Sequence, residues 1–127
     1  MNIKKFFADD RYAQLGGIQL VEADDGHAVA AMQVGESHLN ASGYCQGGAI
    51  YTLADFAAAA AIASAGCVGV TLSATISYLR PVKTGQVSAI AHVVHNHPRV
   101  PFVKVEVYDA KKNLTAAMEA TGYRKSE

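Results

Sequence analysis

From about Gly48 to Ala65 the chain runs as an alanine-rich apolar segment in which Asp55 is the only charged residue. Ile50, Leu53, Ala54, Ala57, Ala58, Ala61 and Ile62 recur there at helical spacing, which predicts one long helix. The opposite side is mainly alanine too, so both sides are expected to be covered by protein, with alanine letting neighbours approach closely. The apolar stretch from Gly47 to Gly66 nears membrane-spanning length. It is mostly alanine, however, and holding Asp55 at mid-membrane would cost several kcal/mol, so a transmembrane reading is rejected.

What flanks this helix has the period of strands. Gly17 to Ala23 and His27 to Val34 bracket the turn signal Asp24-Asp25-Gly26, and Ala28, Ala30, Met32 and Val34 share one face of the second. Beyond Val68 four more strands are expected, Val70 to Leu79, Gln86 to His95, Phe102 to Tyr108 and Leu114 to Tyr123. In the third of these, Val103, Val105 and Val107 alternate with Phe102, Lys104, Glu106 and Tyr108, as in an antiparallel sheet with one buried face. Ile3, Phe6, Phe7, Ala13 and Leu15 predict one or two short helical turns before Gly16-Gly17, interrupted at Asp9-Asp10. The expected order is β-β-α-β-β-β-β, an α+β layer architecture with a long helix packed on an antiparallel sheet. The last four residues, Arg124 to Glu127, are expected to fray.

At 127 residues the chain has the size of a single domain, spanning 1–127, and is small enough for a partner to complete a site. Eleven basic residues balance eleven acidic ones, and no basic run stands out, which argues against nucleic acid as a partner. Cys45 and Cys67 lack metal-type spacing, and Met1-Asn2-Ile3-Lys4-Lys5-Phe6 is not followed by an apolar signal core. Both features fit a reduced, cytoplasmic protein.

Between the second strand and the helix lies a polar loop, about Gly35 to Gln46, longer than the usual connection. A helix opening at Gly47-Gly48 presents unsatisfied N–H groups and the positive end of its dipole, an arrangement that stabilises an anion or a developing oxyanion. Two glycines can also serve only to permit a tight turn. Neither Gly-Lys-Ser/Thr nor Gly-x-Gly-x-x-Gly follows, so nucleotide hydrolysis and hydride transfer lose support. A carboxylate defaults to the surface, yet an exposed helix face would carry more charge than this one. A partly buried Asp55 can act as nucleophile or general base. Gly47 and Asp55 stand eight residues apart, about 12 Å along a helix that rises ~1.5 Å per residue. That is too far for both to reach one carbonyl, so they could meet only if each came from a different subunit of a two-fold dimer.

The run His38-x-Asn40-x-x-Gly43-x-x-Gln46-Gly47-Gly48, with Leu53 and Asp55 in the helix and Ser77-Tyr78-Leu79-Arg80-Pro81 in the next strand, resembles the hotdog-fold acyl-CoA thioesterases. The group it is most similar to is the phenylacetate-degradation (PaaI) type of the 4-hydroxybenzoyl-CoA thioesterase-like superfamily. The resemblance implies a helix wrapped by an antiparallel sheet, homodimers with two shared sites, often homotetramers, and hydrolysis of an acyl- or aryl-CoA thioester without metal or redox cofactor, coenzyme A entering as part of the substrate. It implies Asp55 as the catalytic carboxylate, Gly47 as carbonyl-polarising N–H donor and Asn40 as a holder of the lytic water or carbonyl. Ser73, eighteen residues beyond Asp55, would support the water, although Ser73, Thr75 and Ser77 also read as one solvated strand face. Substrate contacts are implied for Gln46, Gly48, His38, Tyr78, Arg80 and Arg99.

The chain departs from that pattern at Gln46, where many members carry histidine; glutamine still offers an amide donor. A non-catalytic acyl-CoA binding or sensing module is therefore the rival reading, and an enoyl-CoA hydratase a further one. Cys45 beside His38 suggests a thiol nucleophile only weakly, and it reads better as a packed loop residue. His92, His95 and His97 could propose a metal site, but they read better as solvated side chains. Arg80, Lys83, Arg99 and Lys104 could meet coenzyme A phosphates. Leu39, Tyr44, Tyr51, Phe56 and Tyr78 would suit an acyl pocket or a core equally.

Overall fold

A computed structural model describes residues 1–125. Two short helices come first, α1 (Ile3–Phe7) and α2 (Arg11–Leu15). Asn2 Oδ1 accepts from the Lys5 N–H at 3.0 Å and Asp10 Oδ1 from the Ala13 N–H at 3.1 Å, so the acidic interruption of the apolar spacing is the N-cap that restarts the helix. Helix α2 closes in a Schellman arrangement, with Ile18 N–H on Ala13 O and Gly17 N–H on Gln14 O, each at 3.0 Å. Gly17 takes a φ of 71° there, and this turn delays β1 to Gln19–Asp24, later than the expected start at Gly17. Asp25 and Gly26, with φ of 46° and 86°, then form the tight hairpin turn into β2 (His27–Val34).

The loop after β2 contains one 3₁₀ turn, Glu36–His38, and leads to α3 (Gly47–Ser64). Strands β3 (Val70–Tyr78), β4 (Gly85–His95), β5 (Phe102–Tyr108) and β6 (Leu114–Tyr123) complete the chain. All six strands form one antiparallel sheet in the order β1-β2-β4-β5-β6-β3. The element order and layers are those expected from the hydrophobic period.

Alternation decides which face of the sheet is covered. Ala28, Ala30, Met32 and Val34 of β2, Val87, Ala89 and Ala91 of β4, and Val103, Val105 and Val107 of β5 are buried. Against them lie Leu53, Ala54, Ala57, Ala58 and Ala61 of α3, also buried. Small side chains on both sides bring the helix close to the strands, and Leu53, Met32 and Met118 fill what remains. By length and composition α3 could cross a membrane, but 56% of it is buried within the fold.

The sheet ends at β1 on one side and at β3 on the other. Strand β3 is an edge strand whose outer side has no partner among the described residues, and Val70, Leu72, Tyr78 and Leu79 along it are all more than half exposed. Such an edge invites pairing with another chain. At the other end of α3, Arg124 is 3% exposed. Its Nε donates to Cys67 O at 3.1 Å, Nη1 to Asn96 Oδ1 at 2.7 Å and His97 O at 3.0 Å, and Nη2 to Ile62 O at 2.7 Å. Arg124 therefore corrects the expectation of a frayed end: the guanidinium collects carbonyls where the α3 dipole is negative. Of the other residues expected to fray, Ser126 and Glu127 lie outside the described residues.

Replacing Arg124 by Met keeps apolar bulk but removes the donor from four acceptors, one of them the buried Ile62 carbonyl, and should lower unfolding free energy by about 3 kcal/mol in urea denaturation. A loss below about 1 kcal/mol would contradict this role for the side chain.

Candidate active site

The loop before α3 is closed by its own backbone. Leu39 and Cys45 form an isolated antiparallel bridge, Gln46 N–H donates to His38 O at 2.7 Å, and Cys45 N–H donates to Val82 O at 2.7 Å. Asn40 shapes the tip, its Oδ1 accepting from Ser42 N–H at 2.9 Å and Tyr44 N–H at 3.1 Å. That fills the amide oxygen and leaves Nδ2 without a partner among the described residues, so Asn40 presents a donor. Gly43 turns the tip with a φ of 85°.

Gln46 is the N-cap of α3 and makes no side-chain capping bond; its side chain is exposed. Gly47 and Gly48 follow as the first helical residues, whose N–H groups have no acceptor one turn back. Neither has a positive φ. Glycine at 47 is instead a matter of space: a Cβ would stand 3.1 Å from Tyr78 Cζ, and Tyr78 Oη donates to Gly47 O at 2.8 Å. A Cβ at Gly48 would meet only Gln46, at 3.8 Å, so that approach is open.

Gly47, Tyr51 and Asp55 follow one another at one-turn spacing along the helix face beside β3. Burial pushes the Tyr51 phenol up, and the Asp55 charge adds to it; burial and then Tyr51 do the same to Tyr78. Asp55 itself is partly buried. Thr71 Oγ1 donates to its Oδ1 at 2.7 Å, a fixed orientation for one carboxylate oxygen that leaves the other available.

Thr71 was not singled out from the sequence, and Ser73 is placed elsewhere. Its hydroxyl shares a 2.9 Å hydrogen bond with Thr121, because the register shifts between Thr71 and Ser73: Thr71 lies opposite Gly122 and Ser73 opposite Thr121. Leu72 is the extra residue of a bulge, which turns Thr71 to the helix face and Ser73 to the outer face. A strict period of two puts both on the same face.

The remaining candidates divide. His38 is held by both ring nitrogens, Nδ1 accepting from Gly35 N–H at 3.0 Å and Nε2 lying 2.7 Å from Gly16 O, so it is tied to protein rather than presented to a ligand. Arg99 donates through Nη1 to Arg124 O at 3.2 Å and Lys125 O at 2.6 Å, holding the backbone just after β6. Arg80 is exposed beyond β3 and helps hold the Asp109 carboxyl low, behind hydrogen bonds from Asn113 and Lys111. Lys83 stands 5.3 Å over the Tyr44 ring, and Lys104 pairs with Glu119 at 3.6 Å. Phe56 is core, packed edge-on against Phe7 at 5.5 Å. Burial pushes the Cys45 thiol up, the wrong direction for a nucleophile. His97 Nδ1 accepts from the Arg99 and Val100 N–H groups, and no group of three or more His, Cys, Asp or Glu among the described residues is placed to hold a metal ion.

A helix laid on a six-stranded antiparallel sheet, with a carboxylate on its open border and free N–H groups at its start, defines a hotdog-fold protein. The sequence pattern of the Thioesterase superfamily matches residues 42–116. The acyl-coenzyme A thioesterase PaaI of Escherichia coli K12 is 31% identical over 124 residues, 97% of this chain and 89% of that protein. Among solved structures, the E. coli PaaI protein from the phenylacetic acid degradation operon superposes with a TM-score of 0.93 at 29% identity, covering 98% of this chain and 91% of that one. A hypothetical thioesterase from Streptococcus pneumoniae, solved with coenzyme A, gives 0.86 at 26% identity and 94% of both chains. The chain belongs to the thioesterase superfamily.

The bulge makes a prediction for thioester turnover. Thr71→Val should lower kcat about tenfold by releasing Asp55, the loss of one charge-assisted hydrogen bond, whereas Ser73→Ala should stay within about twofold. Steady-state thiol release by the two variants checks this.

Proposed function

We propose that this protein hydrolyses an acyl- or aryl-CoA thioester to the free acid and coenzyme A, in sites shared between two copies of the chain. The observation that carries the reading is the pairing of a Thr71-oriented Asp55 with a free N–H at Gly47, both on the α3 face beside the open β3 edge. They stand about 12 Å apart on one helix, and both must lie near the reacting atoms.

Antiparallel pairing of two β3 edges would bury Val70, Leu72 and Leu79, and would lay two α3 helices side by side in opposite directions. Asp55 of one subunit then faces Gly47 of the other. In this arrangement the Gly47 N–H and the helix dipole receive the negative charge that grows on the carbonyl oxygen. Asn40 Nδ2, the donor left over at the loop tip, holds the carbonyl or the water. Asp55 either takes a proton from water as it adds, or adds to the carbonyl itself and is released by water in a second step. Either way a C–O bond replaces the C–S bond, and the departing thiolate of coenzyme A is protonated. The similarity to a protein solved with coenzyme A supports this choice of leaving group.

The exposed Gln46 side chain, where relatives often place histidine, supports one second reading, that of an acyl-CoA binding or sensing module. Asp55→Asn separates the two, because asparagine keeps an oxygen for Thr71 Oγ1 while losing the charge. Its kcat for thiol release should fall by at least about a hundredfold with KM within about threefold. Full turnover by the variant would contradict the role of Asp55, and saturable acyl-CoA binding without release by the wild type would favour the binding module.

A further inference from the structure

We infer that His38 is a positioning residue for the Gly47 half-site, its ring tying α2 to the exit from β2 through a bare Nδ1 and an Nε2–H while its backbone carbonyl meets the entry to α3. The inference rests on the thioesterase reading and deepens it by adding a support behind the carbonyl-polarising N–H.

Three contacts place His38 at a junction. Nδ1 lies 3.0 Å from the Gly35 N–H, which can only donate, so Nδ1 carries the lone pair. Nε2 then carries the proton and donates to Gly16 O at 2.7 Å. Gly16 is the C-cap of α2, where a terminal carbonyl needs a donor. Finally, His38 O accepts from Gln46 N–H at 2.7 Å, one residue before Gly47. The His38 ring thus joins the end of α2 to the exit from β2, while its backbone carbonyl meets the entry to α3.

A cavity of about 220 Å³ beside the ring is lined from α2 by Tyr12 and Leu15, from β2 by Met32, and from α3 by Ala49 and Thr52. Tyr12 is the only titratable group in that lining besides His38. Glu36, on the same 3₁₀ turn, is the nearest carboxylate along the chain, yet His38 forms no ion pair among the described residues. A proton added at Nδ1 would set a donor against the Gly35 N–H. The contact with the Gly35 N–H therefore needs a bare Nδ1.

The test measures kcat and KM of purified wild type, His38→Ala, His38→Asn and Asp55→Asn at one pH, on an acyl-CoA that the wild type hydrolyses. Asparagine puts Oδ1 in the place of Nδ1 but has no proton to gain. His38→Ala should lose about tenfold in kcat with KM within about twofold. His38→Asn should recover much of that loss. Wild-type kcat in His38→Ala, or no recovery of kcat in His38→Asn, overturns the proposal. Should His38→Ala fail to fold, ¹⁵N imidazole spectra of the wild type still decide: a bare Nδ1 and protonated Nε2 at neutral pH are expected, and the opposite tautomer or a histidinium overturns it. Asp55→Asn serves as the independent arm. Its full activity would sink the thioesterase mechanism whatever His38 does, and its inactivity beside insensitive His38 variants would sink only the present inference.

Discussion

Close contact between the alanine face of α3 and the inner face of the sheet is the constraint from which the rest follows. Ala54, Ala57, Ala58 and Ala61 meet Ala28, Ala30, Ala89 and Ala91 in a region with almost no exposed atoms. Side chains this small bury little area each, so the stabilisation depends on the backbones standing near one another and on dispersion summed over many contacts. A larger residue at any of these positions would have to displace the helix. Because the helix is seated so closely, its free border and its first turn are held in fixed relation to β3 and to the loop after β2. The chemistry sits on those two features.

A carboxylate and an oxyanion donor on one rigid helix cannot approach each other. The proposed dimer turns that limitation into two equivalent sites, each with Asp55 from one copy and Gly47 from the other. Tyr78 links the halves within one subunit. Its hydroxyl holds the Gly47 carbonyl, while its strand, β3, supplies both Thr71 and the open edge. Pairing of that edge would thus align the acid and the donor in one event.

Much of this was legible in the chain. A period of 3.6 interrupted by one acid marked α3 and Asp55, a period of two marked the strands, and the paired glycines marked the helix start. What the pattern could not reveal has identifiable physical causes. A bulge at Leu72 adds one residue to the ladder, and nothing in the alternation of Thr71, Ser73 and Thr75 announces it, so Thr71 takes the place next to Asp55. The burial of Arg124 depends on carbonyls of Ile62, Cys67 and His97, contacts between residues far apart in sequence. His38 looked like a ligand-facing residue because it opens the loop motif; its two ring contacts, to Gly16 and Gly35, depend on how α2 folds back.

The shared site is tested most directly by mixing two inactive variants. Gly47→Pro deletes the proposed donor at little backbone cost, since proline suits the first helical position and Gln46, at φ −58° and ψ 132°, already has the conformation a residue before proline adopts. Its ring would press on Tyr78, so folding of the variant is verified first. Unfolding and refolding Gly47→Pro together with Asp55→Asn in equal amounts should yield mixed dimers with one intact site, and about a quarter of wild-type activity if subunits pair at random. Recovery to that level is the result expected of half-sites contributed by two chains. No recovery, with mixed dimers demonstrably present, would contradict it and return the whole site to a single subunit.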